Sequence, residues 1–301
     1  MALITFGLPP IQENFDENDI RGMNVGRRQL SSEWPKTLYK PDSPEKDWCL
    51  ILPFPNTYQN AFFSMCETTA YAHHAATGKL CLYLQGIGPD DQPPSEVAEW
   101  VEKVGKYVTM KDFLALSFAL DYEREAGNPN RPQTDVGSLR AQAKPYGGQT
   151  VTKQTTAAAG QLVDRCLAFL NEMTCYQSAN CVVAMPPSDP AKEYNLPRYM
   201  AAQIAAKRGL EDLSKHVRTI KARGSIRSVQ LAQKLGTLLG TIEVDAGVFD
   251  GTHVLLIDDL YQSGISMNYC ALLLLQAGAK KIFGLACEKT CRNDDNVGGR
   301  I

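Results

Sequence analysis

The most constraining feature of this 301-residue chain is the stretch 254–266, where an uninterrupted apolar run ends in two adjacent aspartates. Such a run is typical of a parallel strand buried on both faces. Asp258 and Asp259 close the run, and a short turn with Ser263 and Gly264 leads into a long apolar helix. Because backbone N–H groups at a helix start lack partners and the helix dipole is positive there, an anion is the natural occupant.

A buried strand followed by a capped helix is the plain alternative, in which Ser263 or Ser266 serves only as an N-cap. That alternative gives no reason for two charges at the end of a buried strand, where an unpaired charge is costly. Asp258 and Asp259 beside an anion site are instead suited to sugar hydroxyls or to a metal ion carried by the ligand. The stretch therefore predicts a sugar-phosphate pocket at the carboxyl end of a sheet.

The same stretch resembles the phosphoribosyl-pyrophosphate (PRPP) loop of type I phosphoribosyltransferases. That loop has apolar residues, two aspartates, two further residues, a pair of hydroxyl residues, a glycine, any residue and a hydroxyl residue. The chain matches it position by position at Asp258, Asp259, Ser263, Gly264 and Ser266. Gln262 departs from the loop because it replaces the first hydroxyl residue of the pair.

The resemblance implies roles for these residues. Asp258 and Asp259 would be catalytic, holding the ribose hydroxyls and favouring the positive charge that develops on the sugar. The phosphate would be bound by the loop itself, at Tyr261, Gln262, Ser263, Gly264, Ile265 and Ser266. Mg²⁺ would arrive with PRPP and be held through ligand oxygens and water, with no direct protein ligand.

A proline-rich segment follows the strand predicted at 181–185. In the family, the loop after the first core strand binds pyrophosphate, often through a non-trans peptide, which implies that role for Pro186, Pro187 and Ser188. An X–Pro bond prefers trans by only about 0.5–1 kcal/mol. Met185–Pro186 or Pro186–Pro187 is therefore a candidate for that geometry, and an ordinary proline-rich turn is the alternative.

Basic residues are concentrated at 207–234, where eight Lys or Arg and two acids lie in a chain of net charge −2. Such a segment is a candidate anion clamp or a surface for a protein or nucleic-acid partner, and a solvated face is the alternative. The resemblance places a mobile lid over PRPP within it, with Lys221, Gly224 and Arg227 as lid residues. Arg223 is the catalytic cation that the lid would bring to the leaving pyrophosphate.

Alternation of helix and strand dominates the second half of the chain. We predict helices at 157–173, 199–209, 229–239 and from 267, and strands at 181–185, 216–220, 254–257 and 282–286. Such alternation indicates an α/β fold, a parallel twisted sheet flanked by helices. The resemblance implies the same fold, of the type I phosphoribosyltransferase type.

An additional N-terminal α+β part of unknown role is predicted at 1–126, and the phosphoribosyltransferase-like domain at 127–301. We expect strands at 50–54 and 80–84, helices at 95–108 and 110–122, a loop at 127–156, and either a helix or a bent strand at 62–76.

Within the family, the order of residues is similar to the ComF-type subgroup. Tyr194 and Asn195 precede a predicted helix as an aromatic–Asn pair does there, and segments 134–139 and 143–147 are loosely similar to the opening of that subgroup's core. The resemblance covers roughly residues 131–290.

The composition, 44% hydrophobic and 21% charged, is typical of a soluble globular protein. No apolar run approaches the ~20 residues that span a bilayer, and the first residues lack the regions of a signal peptide. We therefore expect a cytoplasmic protein without membrane contact, and self-association into a homo-oligomer is left open. The nine cysteines show no metal-ligand spacing.

The expected function is transfer of phosphoribose from PRPP, or a related sugar phosphate, to an unidentified acceptor with release of pyrophosphate. The alternative comes from another class of protein. It is a non-catalytic module that senses PRPP or nucleotides, in DNA uptake or in a mobile-element defence system.

Overall fold

The computed structural model describes residues 7–29, 36–39, 45–88, 90–125, 130–145, 150–224 and 226–292, with the backbone alone at 27–29 and 36–39. In chain order, helices α1–α8 of this part span Glu17–Ile20, Thr57–Met65, Ser95–Gly105, Asp135–Ala143, Lys153–Glu172, Leu196–Arg208, Leu231–Leu238 and Ile265–Gln276. Strands β1–β13 span Gly26–Gln29, Lys36–Tyr39, Lys46–Leu52, Ala70–His74, Leu80–Leu84, Val108–Lys111, Leu116–Tyr122, Cys181–Ala184, Glu211–Asp212, Val217–Thr219, Ile242–Val244, His253–Tyr261 and Lys281–Lys289. None of the helices described is both long and apolar enough to cross a membrane.

A seven-stranded mixed sheet, in the order β1-β6-β7-β13-β12-β8-β9, forms the centre of the fold. The neighbours from β7 to β9 pair in parallel, whereas β6 and β1 are antiparallel at one edge. Strand β12 is central, since Leu256 is in register with Val183 on one side and Gly284 on the other. The α/β class is thus confirmed, with a sheet that is mixed rather than wholly parallel.

Strand alternation divides the core of this sheet into two layers, because successive side chains of a strand point to opposite faces. Leu255 and Ile257 of β12 join a cluster with residues of α4, α5 and α6. Val254 and Leu256 join a second cluster with residues of α7 and α8. Each fully buried Leu, Ile or Val contributes about 1.5–3 kcal/mol relative to exposure, so this strand is held from both sides.

The N-terminal residues build a second, antiparallel sheet in the order β2-β3-β5-β4, together with α2 and α3. Its core is continuous with that of the central sheet, because Phe62 and Trp100 belong to the same buried cluster as Phe118 and Leu285. The predicted division at residue 126 remains a prediction, and the central sheet takes strands from both sides of it.

The helix predicted at 110–122 is wrong, because these residues form β6 and β7. An apolar run buried on both faces has no period that separates strand from helix. Tertiary pairing decides the matter, since Leu116 lies in register with Phe283 of β13. The undecided segment 62–76 contains the end of α2 and strand β4.

The loop predicted at 127–156 is also partly wrong, because it contains α4 and the start of α5. Thr134 caps α4 by accepting a hydrogen bond from the Gly137 N–H, and Thr152 caps α5 through Thr155. Small and polar residues made this segment resemble a loop. The strands and helices predicted from 181 to 286 are all present. The strands predicted at 254–257 and 282–286 extend at both ends, whereas the elements predicted at 181–185, 216–220 and 229–239 are shorter than predicted.

Two glycine variants test this packing. At Gly284 of β13 a Cβ atom would lie 2.5 Å from Cδ2 of Leu114 and 3.0 Å from Sδ of Met267. Gly284→Ala should therefore destabilise the protein by about 1–3 kcal/mol through overpacking. Gly160→Ala is the matched control, because a Cβ atom there meets nothing within 4 Å on helix α5. The control should stabilise by about 0.5–1 kcal/mol, and equal free energies of unfolding for the two variants would contradict the packing described.

Candidate functional site

The two aspartates predicted to act together lie on opposite faces of β12. Asp259 is 6% exposed and points toward the layer of α4, α5 and α6, as Ile257 does. Asp258 is half-buried and shares the face of Leu256, where α8 begins. Alternation along a strand accounts for this separation, and the two carboxyls remain close enough for the charge of Asp259 to raise the pKa of Asp258.

Asp259 is held by two cations, Arg140 within helix α4 and Lys144 just after the end of that helix. Its Oδ2 accepts hydrogen bonds from Nε of Arg140 at 3.0 Å and from Nζ of Lys144 at 2.5 Å. Burial would raise the pKa of Asp259, but Lys144 and Arg140 outweigh it and hold the pKa below the ordinary range. Asp259 is therefore a charged group that is already paired with side chains of the protein.

Arg140 also reaches the neighbouring strand, where its Nη1 lies 2.8 Å from Oε1 of Glu288. Glu288 is fully buried at the end of β13, and its carboxyl oxygens accept no hydrogen bond from the described residues. Burial raises the pKa of Glu288 to about 8 in spite of the opposing attraction of Arg140. The contact with Arg140 is thus too poorly aligned to keep this group fully ionised near pH 7.

Asp258 lies in a different environment. Burial and the charge of Asp259 raise its pKa above the ordinary range, while the Asp259 N–H donates to its Oδ1 at 2.8 Å. Burial lowers the pKa of the Arg223 guanidinium, although Asp258 attracts it. The buried Nε of Arg223 donates no hydrogen bond within the described structure. Burial thus destabilises the charged form of both groups, and their contacts with the protein compensate only in part.

The turn before α8 has the form expected of an anion site. Gly264 is the N-cap residue of this twelve-residue helix, with φ +80°, and its carbonyl accepts a hydrogen bond from the Asn268 side chain at 3.0 Å. A Cβ atom at Gly264 would lie 2.1 Å from the Tyr261 hydroxyl. Both the left-handed φ and this contact require glycine. The N–H groups that begin α8 are therefore next to the Asp258 face of β12.

Several residues of the predicted phosphate loop have side chains turned into the protein. The Tyr261 hydroxyl donates to Asp112 Oδ2 at 2.6 Å, and Ile265 is fully buried. The Gln262 Oε1 accepts from Nζ of Lys234 at 2.8 Å. Tyr261, Gln262 and Ile265 can therefore contact a ligand through their backbone atoms. The side chain of Ser266 is half-buried.

The predicted pyrophosphate loop adjoins this turn, because the Met185 N–H donates to the Ile257 carbonyl at 2.8 Å. No peptide bond of the described residues is cis, so the non-trans geometry considered at Pro186 and Pro187 is wrong. The buried prolines are instead fixed by contacts with the following elements. The Pro187 carbonyl accepts from the Thr219 hydroxyl, and the Ser188 carbonyl accepts from the Arg223 N–H at 2.9 Å.

The predicted lid begins at this contact. Lys221 and Gly224 are exposed, Arg223 and Arg227 are half-buried, and Ser225 lies outside the described residues. The Arg227 carbonyl accepts a hydrogen bond from Nε2 of Gln262 at 3.4 Å. The structure thus brings the lid segment to both predicted phosphate loops.

The basic residues of segment 207–234 do not form a single surface. Lys207 pairs with Asp164 at 3.0 Å, Arg218 pairs with Glu243 at 2.8 Å, and Lys234 is buried. Of the lid bases, Arg223 interacts with Asp258, and Arg227 interacts with Asp259. A partner surface spanning the whole segment stays a prediction.

A surface depression of about 610 Å³ lies at the other end of α8. It is lined by Gln12, Asn14, Phe15, Asp16, Glu17, Asn18, Leu272, Leu275, Gln276, Ala279 and Lys280. These residues surround the C-terminal end of the helix, far from the positive end of its dipole. The depression and the residues suited to bind an anion thus lie at opposite ends of α8. We place the candidate site at the N-terminal end, where those residues are. No group of three potential metal ligands occurs among the described residues.

Sequence reasoning missed Arg140, Lys144 and Glu288. One signal for Glu288 was available, because the apolar run of β13 ends in Glu288 and Lys289 just as β12 ends in two aspartates. Arg140 lies in the last turn of α4, and Lys144 is the residue that follows the helix. Their placement was missed because the segment was predicted to be a loop.

No protein-family model matches this chain, and no curated protein matches it. The case for a function therefore rests on the geometry of these residues.

The buried carboxyl of Glu288 gives a prediction about pH. Its pKa of about 8 in the folded protein exceeds the ~4.3 of an unfolded glutamate. Its contribution to stability is therefore complete below that lower value and is lost as the pH rises through 8. Glu288→Gln resembles the protonated group, so the Tm of the variant should rise relative to wild type between pH 5 and pH 9.

The control for this measurement is Glu67→Gln, at an exposed carboxyl, which should give a constant difference in Tm. A Glu288→Gln variant that loses Tm relative to wild type at high pH would contradict the prediction. It would show that the contact with Arg140 outweighs burial.

Proposed function

We propose that this protein binds PRPP, or a related sugar phosphate, with Mg²⁺ at the carboxyl edge of its central sheet. The observation that carries the proposal is the placement of Asp258 on the same face of β12 as the N-terminus of α8, beside the Gly264 turn. A carboxylate beside free helix N–H groups suits a ligand that has both hydroxyls and a phosphate. The arrangement supports a type I phosphoribosyltransferase-like fold in the ComF-type order.

In this proposal each loop takes one part of the ligand. The backbone of 262–266 binds the 5′-phosphate, and Asp258 accepts hydrogen bonds from the ribose hydroxyls. Pro186, Pro187 and Ser188 form the boundary of the pyrophosphate site. Mg²⁺ carried by the ligand would supply charge neutralisation for the pyrophosphate, and the half-buried Asp258 is the carboxyl that would lie beside it.

The proposed reaction is a displacement at C1 of the ribose. An acceptor forms a bond to C1, the bond from C1 to the pyrophosphate oxygen breaks, and its electron pair leaves with pyrophosphate while the acceptor's proton passes to solvent. Asp258 stabilises the positive charge on the sugar, and Arg223 with Lys221 and Arg227 stabilises the leaving group. Closing the lid around Gly224 excludes water.

A second candidate function, binding without turnover, is favoured by the contacts of the loop. The side chain of Gln262 replaces a hydroxyl residue and is engaged by Lys234. Asp259 is likewise engaged by Arg140 and Lys144. Fewer groups are therefore left to stabilise a transition state. A sensor of PRPP or nucleotides, as in DNA uptake or mobile-element defence, needs to bind the ligand but not to transfer phosphoribose.

Ser266→Asp tests the phosphate site. An acidic residue in the first turn of a helix stabilises it by about 0.3–1 kcal/mol, so Tm should stay the same or rise. The same charge should repel the phosphate, and the Kd for PRPP with Mg²⁺ should rise at least tenfold in isothermal titration calorimetry. Gln154→Asp is the matched control, because Gln154 is the exposed second residue of α5 as Ser266 is the second residue of α8.

Unchanged PRPP affinity for a folded Ser266→Asp protein would count against the phosphate site. Gly264→Val is a poorer test, since its side chain would collide with Tyr261 whether or not a ligand binds. Release of pyrophosphate with a panel of nitrogenous bases then separates the two candidate functions. Tight binding without release favours the sensor, and release favours the transferase.

A further inference from the structure

We propose that Arg140 is a positioning residue that divides the acidic pair, holding Asp259 in the interior and leaving Asp258 as the carboxylate that meets the ligand. This inference rests on the proposed function for the identity of the ligand. The pairing of Arg140 with Asp259 is independent of that function.

The division starts from the geometry of β12. Asp258 and Asp259 point to opposite faces of the sheet, and α8 with its Gly264 turn lies on the Asp258 face. For Asp259 to reach a ligand on that face, its side chain would have to leave Arg140 and Lys144. Arg140 is 3% exposed, so water does not replace the carboxylate that would be removed from it.

Arg140 is suited to this task because it spans two strands. Its Nε donates to Asp259 of β12, and its Nη1 lies against Glu288 of β13. A planar guanidinium can lie against two carboxyl groups at once, which a lysine ammonium on its single flexible stem does less well. Lys144, whose side chain is 31% exposed, adds a second contact to the same Asp259 oxygen.

This division of the two aspartates affects which ligands the site can recognise. A carboxylate has two oxygens and can accept hydrogen bonds from two vicinal hydroxyls. Asp258 alone is then sufficient for the diol of a ribose phosphate. If Asp259 lost its partners, its buried charge would compete with Asp258 for any donor in the site.

The experiment is a double-mutant cycle read in two ways. Variants Arg140→Met, Asp259→Asn and the double variant are compared with wild type by Tm without ligand. The same proteins and Asp258→Asn are titrated calorimetrically with PRPP and Mg²⁺, and with pyrophosphate and Mg²⁺, which lacks the sugar. Lys207→Met with Asp164→Asn is the control cycle, at an exposed ion pair.

We expect Asp258→Asn to weaken PRPP binding at least tenfold, with pyrophosphate binding retained and Tm unchanged or raised. Arg140→Met should lower Tm and weaken PRPP binding more than pyrophosphate binding. Adding Asp259→Asn to Arg140→Met should restore part of both losses, because it removes a buried charge that has lost one of its two partners. A merely structural role would not produce recovery that is selective for PRPP. The control cycle should be additive.

Two outcomes would overturn the proposal. One is an Asp259→Asn variant whose Tm is unchanged and whose affinity for PRPP falls as much as that of Asp258→Asn. That result would make Asp259 a ligand contact. The other is additivity of Arg140→Met and Asp259→Asn in Tm. If Arg140→Met does not fold, Lys144→Met replaces it in the same cycle. A wild-type protein that binds no PRPP overturns the proposed function and the ligand half of this inference, while the Tm cycle still decides the pairing.

Discussion

Burial of β12 on both faces is the constraint on which the candidate site depends. The apolar part of the strand needs only its ladder of backbone hydrogen bonds, but its charged end must find partners inside the protein. Arg140 and Lys144 supply them for Asp259. The same solution occurs at the end of β13, where buried Lys289 donates to the carbonyl of Gln262 at 2.7 Å. The loops at this edge are therefore tied to the strands by buried charges.

Residues before the predicted division at 126 support the turn at Gly264. Asp112, which follows β6, accepts hydrogen bonds from Tyr261 and Ser117, each at 2.6 Å. Tyr261 in turn fills the space beside Gly264, so its position helps to determine the turn. The N-terminal part thus supports the geometry of the site, whatever further role it has.

The strands and helices from 181 onward could be predicted because each combines a compact apolar segment with clear turn or capping residues. The carboxyl-edge placement of Asp258 and Asp259 followed from the same pattern. The pairing of Asp259, but not Asp258, with Arg140 could not be predicted. Arg140 is 119 residues from Asp259 and lies in a segment that was predicted to be a loop. A motif also gives positions without side-chain directions, which is why the inward turn of Tyr261 and Ile265 was not foreseen.

Asp258 and Arg223 are two groups of the candidate site whose charged forms the described contacts satisfy only in part. Burial disfavours the charged form of each, and the buried Nε of Arg223 lacks an acceptor within the described structure. Proteins usually resolve such costs unless function retains them, because a group left ready for a ligand destabilises the empty site. A ligand with hydroxyls for Asp258 and phosphates for Arg223 would satisfy both groups in one step. The pairing of Asp259 then acquires a reason, because it keeps a second buried carboxylate from taking the place of that ligand.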